Sequence, residues 1–370
     1  MIYLDNNATT ALDERVLESM LPFLSTHYGN PSSLYRQGRI ARSALDTARE
    51  QIAHACSTSP NQIIFTSGGT ESNHLALNSL SPKASLAISA IEHPSILEQA
   101  QILKRQGISL QSIGVSKEGV ITPTQLESIF AIKPPDLISI MHGNNETGVI
   151  QDIRFISEQC KALNVKLHTD ASQTFGKIPV SFSNLGVDFM TISSHKIYGP
   201  KGCGALLYTK QNQPHPMLYG GGQEQQFRAG TENVAAIVGF GKAAELAYAE
   251  LQQRYHHTKI LSQYLETKLS TIPGMTIFGH GVERLPNTIQ FSIDNINGEM
   301  LLMKLDQKGI AVSSGSACAN NSKSSSKVII AMGYPVITAE SAIRVSFGKN
   351  NTEQEVALFF ETLLSLLNTL

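Results

Sequence analysis

The sequence predicts an α/β fold built on a mainly parallel sheet, and two observations predict it. Short β-rich runs alternate with helical patterns through the middle of the chain, as strand–helix–strand units require. Several of those runs are almost continuously apolar, as in strands covered on both faces. The strand candidates, in order, are Ile63–Thr66, Ser85–Ile88, Leu137–Ile140, Val165–His168 and Phe189–Ile192. Helical stretches such as Pro94–Gln106 and Ile153–Leu163 lie between them. Residues 34–55 place Ala41, Leu45, Ala48 and Ile52 on one stripe, with Arg39, Arg42 and Arg49 off it, which reads as an amphipathic surface helix. A long helical pattern runs from Val234 to about Ile272 and is closed by Pro273-Gly274. Beyond it come strand-like runs at Thr288–Ile293 and Ile343–Phe347, then an apolar helix from Glu353. A domain boundary is placed near residue 250, giving a large domain over 14–250 and a small one from 1–13 plus 251–370. Residues 313–326, half of them serine, predict a mobile loop.

Composition narrows the function classes. Lys plus Arg number 29 against 30 Asp plus Glu, so no bulk field attracts nucleic acid or anionic lipid. No apolar run nears the roughly 20 residues that span a bilayer. The opening Met1-Ile2-Tyr3-Leu4-Asp5 lacks a basic segment followed by an apolar one, so no signal peptide is expected. Cys56, Cys160, Cys203 and Cys318 are widely spaced with no C-x-x-C pair. Neither a disulfide framework nor a zinc site suits that spacing, and a reducing cytoplasm is expected. Only 16% of residues are charged, which fits extensive buried surface.

Lys196 follows the apolar strand candidate Phe189–Ile192 and precedes Gly199-Pro200-Lys201-Gly202. A surface lysine is the plain alternative, but lysine at a strand mouth can condense with a carbonyl cofactor. Asp170 ends the neighbouring strand pattern, where it serves either as a turn residue or as partner to a protonated pyridine nitrogen. Ser67-Gly68-Gly69-Thr70-Glu71-Ser72, between a strand and a helix, offers backbone N–H groups to an anion, although a capped turn looks similar. His93 falls between a strand and a helix; it stacks on an aromatic cofactor and shuttles protons, or is an ordinary loop histidine. Cys318 has small polar neighbours in Ser313-Ser314-Gly315-Ser316-Ala317 and reads as a nucleophile, whereas Cys56, Cys160 and Cys203 read as packing residues. No H-E-x-x-H occurs, the adjacent His256 and His257 point to different faces, and no metal is expected.

Many short motifs together resemble the cysteine desulfurases, pyridoxal-phosphate enzymes of the aminotransferase-like fold (fold type I). They are Tyr3–Thr10, Gly29–Ser33, Thr66–Asn73, Glu92-His93-Pro94, Asn144–Gly148, His168–Gln173, Ser193–Gly202, Gly220–Glu224, Arg228–Asn233, Ser313–Cys318 and Ile343–Ser346. The resemblance implies that Lys196 binds the cofactor, Asp170 takes its ring nitrogen, and Asn145 and Gln173 address the ring oxygen while His93 stacks. It implies Gly69, Thr70, Ser193 and His195 at the phosphate, with Thr231 reaching the phosphate of the other subunit of a homodimer. Arg344, with Asn145, would hold the carboxylate of L-cysteine, and Cys318 would accept its sulfur as a persulfide, leaving L-alanine. A sulfur-acceptor protein, either an iron–sulfur scaffold or a sulfur carrier, is the implied partner. One departure stands out: where long-loop members continue with a Leu-Glu-Pro-Ser type stretch, this chain has Lys323-Ser324-Ser325-Ser326. That bears on which acceptor is recognised. An aminotransferase or selenocysteine lyase, and a cofactor-less scaffold, are the competing readings.

Overall fold

The computed structural model describes residues 1–314 and 325–368. A short strand β1 (Ile2–Tyr3) leads into α1 (Glu14–Ser25), whose first turn is capped by the Asp13 carboxylate accepting from the Arg15 N–H. Helix α2 (Arg36–Ala55) follows and buries the stripe Ala41, Leu45, Ala48 and Ile52. The alternating segment then runs β2 (Ile63–Thr66), α3 (Gly69–Leu77), β3 (Ser85–Ser89), α4 (Pro94–Arg105), β4 (Ser109–Ile113), α5 (Pro123–Ile132) and β5 (Leu137–Ser139). It continues through α6 (Ile153–Ala162), β6 (Lys166–Asp170), α7 (Phe182–Leu185), β7 (Phe189–Ser193) and β8 (Gly204–Tyr208).

These seven strands, β2 to β8, form one sheet in the order β2-β8-β7-β6-β5-β3-β4. Strand β8 is antiparallel to both of its neighbours, and every other pairing is parallel. Six strands therefore share one direction, so the ends of β2, β3, β5, β6 and β7 open on the same edge. In sheets of this kind that edge is where ligands bind. The sheet separates two cores, as a side-chain period of two demands. Ile63, Ala87, Ile138, Leu167, Met190 and Leu207 pack against α2 and α8 residues such as Ile52 and Phe240. Ile64, Leu86, Ile88, Phe189 and Leu206 pack on the other face against α3 and α4.

The long helical pattern divides into α8 (Val234–Ala249) and α9 (Leu251–Leu269). The break falls at Glu250, whose carboxylate accepts from Arg15 and Arg254, a long-range tie that periodicity does not register. Within α8, a Cβ on Gly241 would lie 2.6 Å from the Ala48 Cα, so only glycine lets α2 come this close. Then come β9 (Met275–Ile277), β10 (Thr288–Ile293), α10 (Gly298–Gln307), β11 (Ile310–Ala311), β12 (Ser313–Ser314), α11 (Lys327–Ala331), α12 (Val336–Glu340), β13 (Ile343–Ser346) and α13 (Glu353–Leu367). An antiparallel sheet, β12-β13-β10-β9, gathers a separate core of Leu261, Leu265, Phe291, Leu301, Val345 and Phe359. The N-terminus returns to this region: β1 pairs in parallel with β11, and Leu4 is buried in the same core. No described helix is long and apolar enough to cross a membrane.

Candidate active site

A cavity of about 600 Å³ opens at the shared strand edge. Asp170 is the last residue of β6, in register with Thr191 of β7, and Lys196 follows β7 by three residues. Parallel pairing of adjacent strands thus brings to one cavity two residues that lie 26 apart in sequence. The Asp170 carboxylate is buried and oriented on both sides: Oδ2 accepts from Asn73 Nδ2 at 2.8 Å and Oδ1 from the Ser172 N–H at 2.9 Å. Lys196 Nζ donates to the carbonyls of Asn7 (2.6 Å) and Ala8 (2.7 Å).

His93 caps α4, its Nδ1 accepting from the Ser95 N–H at 3.1 Å. A backbone N–H can only donate, so the neutral ring carries its proton on Nε2. Burial foremost pushes the imidazole pKa down; the Lys196 cation adds to this, and Asp170 opposes it. His195 also lines the cavity, with burial and then Lys196 holding its pKa down to about 4.

Gly69 and Thr70 open α3, where backbone N–H groups lack helical partners. Beside them Ser172 Oγ and Ser193 Oγ are buried with no hydrogen-bond partner among the described residues. A Cβ on Gly69 would meet Ser172 Oγ at 3.2 Å, so the missing side chain leaves the recess open. Gln173 Nε2 donates to the Asn7 carbonyl at 3.0 Å, and its Oε1 accepts from Lys177 Nζ at 2.8 Å. The Asn145 carbonyl accepts from Arg344 Nη1 at 3.0 Å. Arg344, on β13, is buried; Nη2 pairs with Asp5 at 2.6 Å, while Nε has no partner among the described residues.

The cavity therefore gathers Lys196, Asp170, His93, Gln173, Asn145, Gly69, Thr70, Ser193, His195 and Arg344. Thr231 is exposed and does not line it. Cys318 lies outside the described residues, as does most of the serine-rich run; the chain resumes at Ser325, which lines the cavity with Lys327 and Val328. Cys56, Cys160 and Cys203 are buried free thiols whose pKa values burial pushes up, for Cys160 to about 12. Sequence reasoning passed over Asn7, Asn73, Glu92, Glu146 and Ser172, all lining residues or direct neighbours of the site. Ser172 had the plainest signal, a second hydroxyl two residues after Asp170.

Comparison with known proteins accords with this geometry. The class-V aminotransferase family model matches residues 2–359. The cysteine desulfurase IscS of Dictyoglomus turgidum is 41% identical, covering 100% of this chain and 95% of that protein. The one from Methanosarcina thermophila is 39% identical, covering 100% and 92%. The crystal structure of a NifS-like protein from Rickettsia africae superposes with a TM-score of 0.92 at 38% identity, covering 100% and 99%. The chain belongs to the class-V aminotransferase family. Within it, the chain is a cysteine desulfurase, an enzyme dependent on pyridoxal 5′-phosphate.

The residues fit that cofactor. A buried, oriented carboxylate suits a protonated pyridine nitrogen, and an amine at the strand mouth suits an aldehyde. The two partnerless serine hydroxyls beside a helix N-terminus suit a phosphate, which accepts from every donor offered.

Proposed function

We propose that the chain converts L-cysteine to L-alanine by passing the sulfur to Cys318 as a persulfide. The convergence of Lys196 and Asp170 on one cavity, with the Arg344 guanidinium on its wall, carries this reading. Lys196, Asp170, His93, Gln173 and Asn145 hold the cofactor ring; Gly69, Thr70, Ser193 and His195 hold its phosphate, and to these we add Ser172. When bound, pyridoxal phosphate supplies an electron sink for the substrate Cα. Arg344 takes the substrate carboxylate through its free Nε edge, with Asn145 beside it. Lys196, once released, moves the Cα proton as an amine. His93 gives a proton from Nε2 before it can take one, because Nδ1 is already engaged. Cys318 attacks as a thiolate: the new S–S bond forms as the substrate C–S bond breaks, and the carbon skeleton takes up a proton to leave as alanine.

Further parts of the reading concern the assembly. The division into 14–250 and 1–13 plus 251–370 is supported by the separate core around Phe291 and by the break at Glu250. A homodimer completed by Thr231 is supported by that residue being exposed and not lining its own chain's cavity. Three buried free thiols suit a reducing cytoplasm. The sulfur acceptor is a protein that reaches Cys318, an iron–sulfur scaffold or a sulfur carrier.

The test incubates holoenzyme with L-cysteine and reductant, measuring alanine and sulfide, and repeats it with Cys318→Ser. Equimolar products, abolished in the variant, are expected. Undiminished alanine and sulfide in Cys318→Ser overturns the sulfur-transfer role and favours a lyase that cleaves the C–S bond without Cys318; a keto acid with no sulfide favours a transaminase.

A further inference from the structure

Lys196 also borders a second cavity, of about 20 Å³, where the connections after β6 and β7 meet α9 and the segment after β13. That is room for one particle little larger than a water molecule, and too little for sulfate or phosphate. Leaving Lys196 aside, the wall carries the cations Lys177, Arg254 and Lys349 and, among the described residues, no carboxylate. Two carboxylates stand close by, and three cations share them: Asp13 pairs with Arg15 and Lys349, and Glu250 with Arg15 and Arg254. Asp5 pairs with Arg344, and Asp170 lines the larger cavity instead. Lys177 brings a further positive charge, and its Nζ donates to neutral groups, Asn7 Oδ1 and Gln173 Oε1, each at 2.8 Å.

Hydrogen-bond donors are in excess on the same wall. Arg254 is only 7% exposed; its Nε and Nη2 donate to Glu250, while Nη1 has no partner among the described residues. The guanidinium lies 5.0 Å from the centre of the Tyr198 ring, and Lys349 Nζ lies 4.8 Å from that centre. The Tyr198 hydroxyl oxygen accepts from the Lys349 N–H at 2.7 Å, and its own hydrogen has no acceptor among the described residues. Burial foremost raises the phenol pKa, so that hydrogen stays in place. Tyr198 holds this position at a φ of 69°, in the left-handed region that a bulky side chain enters only under strain. A charged Lys177 keeps a third N–H beyond the two already committed. A water molecule accepts from two such donors and still has two hydrogens of its own to place, whereas an anion accepts from all of them.

From this joint excess of charge and donors we propose that the small cavity binds one monovalent anion of chloride size, held by Arg254 Nη1, the Tyr198 hydroxyl and Lys177 Nζ. Burial, then Lys196, then Arg344 press the Lys177 pKa well below the ordinary lysine range, and an anion beside it favours the charged amine against all three. The site is separate from the Arg344 wall, which belongs to the larger cavity. Its occupant bridges the β6 and β7 connections to α9, so it stabilises the packing of those segments on one another.

The experiment follows thermal unfolding of the holoenzyme as sodium chloride replaces sodium gluconate at constant ionic strength. The Tm should rise with chloride and level off, gaining about 2 °C at ten times the half-saturating concentration. Tyr198→Phe keeps the ring between Arg254 and Lys349 but removes the donor, and should raise the half-saturating chloride about tenfold. A wild-type Tm indifferent to chloride overturns the proposal. So does a response that Tyr198→Phe leaves unchanged, since the anion then binds elsewhere. Should that variant fail to fold, crystals of the wild type grown in sodium bromide decide. An anomalous peak within hydrogen-bond reach of Arg254 Nη1 and Tyr198 Oη, together with the chloride-dependent Tm, supports the site. A water there with no bromide signal overturns it, and a peak without the Tm response marks an adventitious ion only and overturns it equally.

Discussion

Glu92 precedes His93 and reaches under the end of β3, and its two carboxyl oxygens have unequal surroundings. Oε1 accepts from Ser89 Oγ at 2.5 Å and from the Met141 N–H at 2.7 Å, whereas Oε2 is buried without a partner among the described residues. Burial foremost, with Asp170 adding to it, pushes the pKa up to about 8 against those two donors. The proton belongs on Oε2, since Oε1 is already accepting twice. In the unfolded chain the same group ionises near 4.5. Between those two values the folded state holds a proton that the unfolded state has lost, so stability falls as pH rises through the window and levels off above about 8. Glu92→Gln keeps an Oε1 for both donors and cannot ionise. Its advantage in urea unfolding should therefore be small near pH 4.5 and grow to a few kcal/mol by pH 8. A difference that is flat with pH would show that Glu92 is not the neutral acid described. The sequence displays Glu92 beside His93 but gives no sign of burial. Asn7 and Lys177 are hidden for a similar reason: they become neighbours of Lys196 only through the pairing of the N-terminal segment with β11 and β13. Lys196 and Asp170 were legible because each stands at or just past the end of a strand pattern on adjoining strands.

Helix α3 shows what an element adds to its residues. It begins at Gly69, where glycine is the poorer helix former, so the residue is retained for space rather than for stability. Gly69→Ala would put a methyl 3.2 Å from Ser172 Oγ and 3.8 Å from the Ser193 Cβ, inside the recess assigned to phosphate. The apoenzyme should be as stable as the wild type or up to about 1 kcal/mol more so, while pyridoxal phosphate affinity falls about tenfold or more. Calorimetric unfolding and a fluorescence titration separate the two effects; unchanged affinity would remove this recess from the phosphate site. Elements differ in how far sequence betrays them. Strands β2, β3, β5 and β7 are short, largely apolar runs covered on both faces and read directly. Strand β4 was missed because it is the sheet's edge, with a half-exposed Ser-Leu-Gln-Ser-Ile pattern. Strand β8 was missed because it turns back antiparallel straight after a glycine-rich stretch. The join between α8 and α9 has neither glycine nor proline, and the distant Arg15 that pairs with Glu250 there is invisible to local pattern.

For the whole molecule, the sparse charge noted in the composition meets a specific distribution of exposed apolar side chains. Leu21, Leu24, Tyr28, Leu34 and Tyr35 are all exposed, Leu34 at 90% and Tyr28 at 82%, and all fall within fifteen residues at the end of α1 and beyond it. Scattered exposed leucines are ordinary, but a concentration of this kind on a single chain marks a contact surface. The proposed homodimer supplies the occupant, a second copy, and Thr231 supplies the reason the assembly matters. A hydroxyl that is exposed and does not line its own chain's cavity is free to reach another. Interface and site can then be separated by two kinds of substitution. Leu24→Glu with Leu34→Glu should yield a monomer by light scattering and, with it, pyridoxal phosphate binding weakened about tenfold or more. Thr231→Ala should leave the dimer intact and weaken cofactor binding by about 1.5–3 kcal/mol, the worth of one hydrogen bond to a charged group. A double-glutamate variant that stays dimeric moves the interface elsewhere on the chain. A monomer that binds the cofactor as tightly as the wild type shows each site to be complete within its own chain, and Thr231 then has no part in it.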